Sequence, residues 1–247
     1  MSIATEIARL QSAKSDIKSA IEQKGVEVGN GTIDTYAEKV RKISVGGGSE
    51  YINSVALYDF RTFEGESIEI NGDGVRSYGL TFTVRGEDGF CKGNTTLKSV
   101  TAMFPNAIGG RHAFSGCSNL EYVKVDTSKF SDNGDYTAFN SMFYGCAKLK
   151  RIEGFVNGSN AQIGADGMFA ECSVLEYVAF VPLSIKISPN LVDLIALSNE
   201  GIQCAIDGLA DLTGGTTQTI TFHKDVGAKL TEEQKATITA KNWTLAY

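Results

Sequence analysis

The chain has 247 residues, of which 42% are hydrophobic and 21% are charged, and its formal net charge is −6. This length is sufficient for one large hydrophobic core or two modest domains, and the acidic balance argues against general nucleic-acid binding. No apolar run approaches the roughly 18 residues that indicate a membrane-spanning helix, so we expect no membrane insertion. The amino terminus lacks a basic region followed by an apolar run, so we expect no secretory signal.

The first segment, residues 2–24, is predicted to form a helix that ends at Gly25. Its apolar residues alternate between spacings of four and three, which is typical of a coiled-coil seam, and Lys14 occupies one seam position. The candidate oligomerisation residues on this seam are Ile3, Ile7, Leu10, Ile17 and Ile21. The helix could pack against a second predicted helix at residues 33–43, or it could associate with other copies of the chain.

Three segments are expected before the central part of the chain begins. Residues 1–43 form a helical head for anchoring or oligomerisation, and residues 44–49, with three consecutive glycines, form a flexible linker. Residues 50–92 alternate between apolar and polar like short strands separated by glycine-rich turns. We expect this block to be a β-rich cap.

The most informative pattern is a repeat of the form Phe-x-Gly-Cys-x-x-Leu-x-x-Val/Ile. Three copies begin at Phe114, Phe143 and Phe169, and a weaker copy at residues 93–100 has Asn94 in the cysteine position. From Asn94 onward, the cysteine positions lie 23, 29 and 26 residues apart. A period in this range is typical of a solenoid, in which each unit buries its apolar face against the next.

Within each copy, the phenylalanine and cysteine should point inward from a helical turn, and the leucine should lead into a short strand with alternate residues buried. Parallel pairing of these strands would align equivalent residues in columns. The predicted buried column is Val100, Val123, Ile152 and Val178. The predicted exposed columns are Lys98, Glu121, Lys150 and Glu176; Ser99, Tyr122, Arg151 and Tyr177; and Thr101, Lys124, Glu153 and Ala179.

Five exposed residues form a candidate binding stripe: Tyr122, Lys124, Arg151, Glu153 and Tyr177. The alignment would place Arg151 between two tyrosines. Cross-strand ion pairs and an arginine over an aromatic ring contribute roughly 0.2–1 kcal/mol each, so these contacts could simply fix the register of the strands. Tyrosine and arginine are also favoured at interfaces, so the same residues could contact a ligand.

The sequence contains little that indicates catalysis. The five cysteines lack the close pairs with histidine that metal sites use, so buried thiols acting as small hydrophobes are predicted. A phosphate-binding loop, a GxSxG elbow and an HExxH motif are absent, and His112 and His223 lie far apart. We therefore expect no enzyme activity, no cofactor and no metal ion.

Residues 183–247 are predicted to be enlarged repeats that close the stack. The pattern predicts a helix at residues 199–209, a strand at 217–222, a helix from the capping box at Thr231 to about residue 241, and a strand at 242–246. Trp243 would cover the end of the stack.

The repeat, over residues 93–182, resembles the BspA-like (Treponema-type) leucine-rich repeats, and Gly116-Cys117 and Gly145-Cys146 fit that pattern best. The resemblance implies the fold class: an α/β solenoid of BspA-like leucine-rich repeats with a helical head and a β-rich cap. The two ends are similar to segments of bacteriophage tail and fibre proteins, through residues 3–21 and 33–37 at the front and residues 205–215 and 241–245 at the back.

This resemblance implies a component of a phage tail fibre or baseplate, located in the virion and assembled in the host cytoplasm. In this hypothesis residues 1–43 bind other virion proteins and form a homotrimer. The repeat surface would contact a host receptor, a host glycan or a neighbouring virion protein. The alternative is a bacterial surface adhesin, or a prophage-derived protein-interaction module with leucine-rich repeats.

Overall fold

The computed structural model describes residues 11, 14, 15, 17–19, 22, 49–52, 60–71, 89–103, 107, 109–132 and 137–247. Within these residues nine strands form two parallel sheets. The large sheet contains, in chain order, β1 (Ser49–Ile52), β2 (Ser67–Asn71), β3 (Ser99–Met103), β4 (Tyr122–Asp126), β5 (Arg151–Val156) and β6 (Tyr177–Phe180). The small sheet contains β7 (Asn190–Leu191), β8 (Gln218–Phe222) and β9 (Trp243–Ala246).

Three helices lie in the carboxy-terminal part of the chain: α1 (Asn199–Gly208), α2 (Lys224–Gly227) and α3 (Glu232–Ala240). Helix α1 packs against β6 of the large sheet, and α3 packs against β9 of the small sheet. The capping box that begins α3 forms as predicted, because Thr231 and Gln234 exchange side-chain and backbone hydrogen bonds. The predicted helices and strands of this region are confirmed to within one residue at each end, whereas α2 was not predicted. None of the helices in the described part of the chain combines the length and the apolar character needed to cross a membrane.

The predicted fold class, an α/β solenoid of leucine-rich repeats with a helical head and a β-rich cap, is wrong. The strands form two separate parallel sheets, so the architecture is α/β with few helices. Within residues 50–92, where a β-rich cap was expected, β2 pairs in parallel with β3 and belongs to the large sheet.

The physical reason for the break lies between β6 and β7. This segment contains Pro182 and Pro189, which have no backbone N–H to donate to a ladder. It makes a single isolated bridge, from Ile185 to Leu209, before the small sheet begins.

The phenylalanines and cysteines of the repeat are buried as predicted, but in hydrogen-bonded turns rather than helical turns. In each turn the cysteine N–H donates to the phenylalanine carbonyl three residues earlier, at 3.0–3.1 Å. Gly116 and Gly145 have φ values of 75° and 72°, which glycine adopts without strain. The rings of Phe114 and Phe143 stack at 5.4 Å, and Phe143 stacks on Phe169 at 6.2 Å.

The repeated cysteine does more than fill space. Each thiol donates a hydrogen bond to a backbone carbonyl of the preceding repeat: Cys117 to Cys91 at 3.0 Å, Cys146 to Phe114 at 3.1 Å and Cys172 to Phe143 at 3.0 Å. Asn94 makes the equivalent bond in the first copy, from its Nδ2 to the carbonyl of Phe60 at 2.8 Å. The expectation of buried thiols without disulfides is confirmed at these three cysteines, and their hydrogen bonds tie neighbouring repeats together.

The amino-terminal head is described only in part. Gln11, Lys14, Ser15, Ile17, Lys18, Ser19 and Glu22 are helical, in agreement with the predicted helix over residues 2–24. Lys18 and Glu22 form an ion pair at 3.8 Å along this helix. The predicted helix at residues 33–43 and residues 44–48 of the predicted linker lie outside the described residues, whereas Ser49 begins β1.

Candidate binding surface

The parallel register of the large sheet brings the candidate stripe together. Tyr122 pairs with Arg151 across β4 and β5, and Arg151 pairs with Tyr177 across β5 and β6, as predicted. Lys124 pairs with Glu153. These residues therefore lie side by side on three neighbouring strands.

One predicted pairing does not form part of this register. The alignment of β5 and β6 shifts between Ile152 and Val156, so the expected pairing of Glu153 with Ala179 falls inside an irregularity. Gly154, with φ of 97°, lies at this point, and a Cβ there would be 1.9 Å from the carbonyl oxygen of Val125. This close approach to the backbone of β4 leaves no room for a side chain, so the position requires glycine.

Arg151 is the centre of the stripe and makes three contacts. Its Nε donates to Oε1 of Glu153 at 2.7 Å, and its Nη2 donates to Oε1 of Glu200 at 3.3 Å. Its Cζ lies 3.8 Å from the centroid of the Tyr177 ring. The Arg151 side chain remains 38% exposed, so it is held in place without being buried.

Arg151 was predicted to lie between two tyrosines, and the arrangement differs from this prediction on the Tyr122 side. The Tyr122 hydroxyl donates to Oε2 of Glu153 at 2.9 Å, so Glu153 accepts from Tyr122 with one oxygen and from Arg151 with the other. Tyr122 is therefore linked to Arg151 through a carboxylate, and Arg151 stacks on Tyr177.

The charges of the stripe are fixed by these contacts. The hydrogen bond from Arg151, followed by the one from Tyr122, lowers the pKa of Glu153. Burial raises the pKa of Tyr122 to about 12, with Glu153 adding to the effect. Burial, followed by a hydrogen bond with Cys204, raises the pKa of Tyr177 to about 12. Near neutral pH the stripe therefore presents ionised Glu153 and Arg151 beside two protonated tyrosines.

A second exposed feature, which we call the charged column, lies directly before the strands. It consists of Glu66, Lys98, Glu121, Lys150 and Glu176, which alternate in sign from strand to strand. Their backbones are linked in sequence, since each N–H from Lys98 onward donates to the preceding member's carbonyl at 2.8–3.0 Å. The column is thus one residue longer than predicted, because Glu66 extends it.

The charged column pairs at one end only. Nζ of Lys98 lies 2.7 Å from Oε1 of Glu66. Within the described part of the chain, Glu121, Lys150 and Glu176 form no ion pair, although opposite charges occupy neighbouring strands. The interpretation that alternating charges fix the register therefore applies to Lys98 and Glu66.

Sequence reasoning missed Glu66 and Glu200. Glu66 could have been found, because Glu66-Ser67-Ile68 matches Lys98-Ser99-Val100 at the start of a strand. Glu200 lies on α1, and no spacing in the sequence indicates that it reaches Arg151.

One of the five candidate oligomerisation residues lies within the described part of the chain. Ile17 is helical and 41% exposed. Ile3, Ile7, Leu10 and Ile21 lie outside the described residues, so the seam stays a prediction.

Cys117, Cys146 and Cys172 are poor nucleophiles, because burial raises the pKa of Cys117 and Cys172 to about 12 and raises that of Cys146 as well. Among the described residues, no group of three or more histidine, cysteine or acidic side chains is placed to hold a metal ion. The stripe itself offers hydrogen-bonding groups and aromatic surface for contact with another molecule.

Comparison with known proteins finds no matching family model, no matching curated protein and no matching solved structure. The resemblance of the repeat to BspA-like leucine-rich repeats, and of the ends to phage tail proteins, therefore stays a prediction.

Proposed function

We propose that the protein is a structural or receptor-binding component of a phage virion, in a tail fibre or baseplate, and that it binds a macromolecule through the candidate stripe. The observation that carries the binding surface is the geometry at Arg151, which is held by Glu153, Glu200 and Tyr177 while 38% exposed. The phage context rests on the resemblance of the repeat and of the two ends.

A side chain that is already ordered loses little conformational freedom when it binds. Arg151 and Tyr122 each have fixed hydrogen-bond partners in the unbound chain. Tyrosine and arginine are enriched among the residues that dominate binding energy. The stripe therefore has the composition and the preorganisation of a contact surface.

The remaining parts of the chain have supporting roles in this proposal. Residues 1–43 attach the protein to other virion proteins and assemble it as a homotrimer, through the seam that includes Ile17. Several copies would then present their stripes together, and multiple weak contacts would combine into stable attachment. The surface would engage a host receptor, a host glycan or a neighbouring virion protein.

Binding of the fluorescently labelled full chain to a panel of intact bacterial cells tests the proposal. We expect wild-type protein to bind at least one strain and Arg151→Ala to lose about tenfold or more in affinity, since arginine contacts at interfaces are often dominant. The change should leave the folded state nearly as stable, because exposed ion pairs contribute little.

Lys186→Ala is the matched control, because Lys186 is an exposed cation in the segment that follows β6 and is not part of the stripe. Binding that is equal for wild type, Arg151→Ala and Lys186→Ala would show that the stripe is not the contact surface. A complete absence of binding to cells would leave only the virion-protein contact and would contradict the receptor-binding role.

A further inference from the structure

We propose that the candidate stripe and the charged column bind a second copy of the same chain, face to face, about a two-fold axis. The axis would run parallel to the strands, midway between β4 and β5. This inference rests on the proposed function in one respect, that the stripe is a contact surface, and it names the partner.

The symmetry makes a specific demand on the sequence. Rotation about such an axis keeps each residue's position along its strand and reverses the order of the strands. Strand β4 of one copy then faces β5 of the other, and β3 faces β6. Since a two-fold interface uses the same patch on both copies, each residue must be complementary to its counterpart across the axis.

The charged column meets this demand at its four central positions. Glu121 of one copy would face Lys150 of the second copy, and Lys98 would face Glu176. Each pair occurs twice, which gives four attractive pairs. Beyond Glu176 the next position is Ser198, whose N–H donates to the Glu176 carbonyl at 3.0 Å, so Glu66 would face an uncharged residue.

The stripe meets the same demand about the same axis. Lys124 and Glu153 are register partners on β4 and β5, so Lys124 of one copy would face Glu153 of the other, and the reverse. Tyr122 and Arg151 are also register partners, so each Arg151 would face the Tyr122 ring of the second copy. The arginine would then contact Tyr177 of its own chain and Tyr122 of the other.

The unpaired charges separate this interpretation from a purely structural one. If the alternation served only to fix the register, its members would pair within the chain, as Lys98 and Glu66 do at 2.7 Å. Across the described residues, Glu121, Lys150, Glu176 and Lys124 are exposed and form no close ion pair, although Glu121 attracts Lys98 and Lys124 attracts Glu153 at longer range. These charges can pair with a partner that carries the opposite charge at each facing position. A second copy related by the two-fold axis has that arrangement.

The size of the face sets the expected strength. Four strands at a spacing of about 4.8 Å give a patch of only a few hundred Å². This is below the roughly 800 Å² that each partner buries in a standard stable interface. Two isolated copies should therefore associate weakly, at high micromolar concentration or above, and repeated copies on one assembly would strengthen the contact.

Charge exchange in the full chain tests the proposal. Lys98→Glu with Lys150→Glu makes the column entirely negative, and Glu121→Lys with Glu176→Lys makes its four central positions positive. Each double variant alone would place like charges across the axis, whereas an equimolar mixture would restore four attractive pairs between unlike copies. We expect sedimentation equilibrium to show self-association of wild type, at least about tenfold weaker association of either variant, and recovery in the mixture.

Two controls keep the comparison interpretable. The double variant Lys186→Glu with Lys224→Glu changes the net charge as Lys98→Glu with Lys150→Glu does, but at exposed positions outside the face. It should associate like wild type. Association through the head would be common to all variants, so only the differences among them report on the face. Circular dichroism checks that each variant is folded. Should a double variant unfold, wild-type association must still weaken as salt is raised, because exposed charges are screened.

The outcomes also distinguish this inference from the proposed function. A mixture that associates no more than the separate variants, or a wild-type association that exceeds that of the variants by an amount independent of salt, would overturn the second copy as partner. The cell-binding experiment with Arg151→Ala tests the contact surface itself, and it can succeed when the mixture experiment fails.

Discussion

The two sheets hold their turns in different ways. In the large sheet one short bond repeats, from a cysteine thiol to the carbonyl of the preceding repeat. In the small sheet the side chains of three consecutive residues donate to backbone carbonyls instead. Lys241 donates to the carbonyls of Ile206 and Leu209, both at 2.9 Å, while Asn242 and Trp243 reach Leu212 and Ala210 at 3.0 and 2.8 Å.

Side-chain identity therefore repeats where the backbone geometry repeats. Each thiol spans the same short distance between stacked turns, so the same small residue fits three times. The end of α1 has no equivalent elsewhere, and Lys241 reaches its last carbonyls at the cost of partial burial, which lowers the pKa of its ammonium group. The large sheet therefore depends on many similar bonds, and the small sheet depends on a few individual ones.

The largest expected effect tests whether the two sheets unfold as one unit. Phe143 and Phe222 are both fully buried, one behind each sheet, and both belong to a single continuous cluster of buried residues. Replacing either by alanine should lower the free energy of unfolding by about 3–5 kcal/mol. Urea denaturation followed by circular dichroism and by fluorescence of Trp243, the single tryptophan, should give coincident transitions.

Phe155→Ala is the control for this pair, since Phe155 is 52% exposed and its truncation should change stability little. If Phe143→Ala shifted the circular dichroism transition and left the Trp243 transition in place, the sheets would be separate folding units.

A smaller loss is expected at Asn94, where the large sheet uses an individual residue in place of the repeated cysteine. Its Nδ2 donates to the carbonyls of Phe60 and Phe63, both at 2.8 Å, and its Oδ1 accepts from the N–H of Leu97 at 2.9 Å. Asn94→Ala should cost about 2–3 kcal/mol, because buried groups lose their partners. Chemical denaturation measures the loss.

Asn94→Cys sharpens this prediction, because it installs the residue that the other copies use. A thiol can donate to the Phe60 carbonyl as Cys117 does to Cys91, so the cysteine variant should retain part of the stability. Equal losses for the alanine and cysteine variants would show that the thiol bond has no stabilising value at this position.

The sequence predicts the register of the stripe well and the extent of the fold poorly. Tyr122, Arg151 and Tyr177 align as expected because the repeat fixes their distance from a buried leucine, and alternation then sets which face each residue occupies. The repeat says nothing about where stacking stops. The break before β7 occurs in a segment that lacks the repeat. The position of β2 in the large sheet was not predicted because this strand is not preceded by the phenylalanine and cysteine of the repeat.

The details of the site were less predictable than its register. The alignment places Arg151 beside two tyrosines, but the choice of Glu153 as the partner of Tyr122 depends on side-chain conformation, which spacing does not determine. Glu200 approaches through the packing of α1 against β6, a tertiary contact between elements that share no repeat.

Trp243→Phe probes the individual bonds of the small sheet. The change keeps an aromatic ring but removes the Nε1–H that donates to the buried carbonyl of Ala210. We expect a loss of about 1–3 kcal/mol, because an acceptor is left without its partner and the smaller ring leaves a cavity. Thermal unfolding followed by circular dichroism measures it, with Tyr247→Phe, at a position that is 60% exposed, as the control that should not change. A loss well below this range would show that the hydrogen bond to Ala210 contributes little to stability.

The smallest effect concerns the exposed face, where Glu153 links Tyr122 to Arg151. Because its pKa is lower in the folded chain than in the unfolded chain, the ionised carboxylate adds stability above the ordinary glutamate pKa, and this stability disappears as the pH falls through the folded value. Glu153→Gln should therefore lower the melting temperature slightly at pH 7, by the equivalent of less than about 1 kcal/mol. The difference in melting temperature from wild type should close as the pH falls below about 4.

Glu176→Gln, at a charge without an ion pair among the described residues, should show no such convergence. A difference in melting temperature for Glu153→Gln that is the same at every pH would mean that the side chain acts through its shape rather than its charge. The exposed face of the large sheet would then depend on packing, as the buried face does.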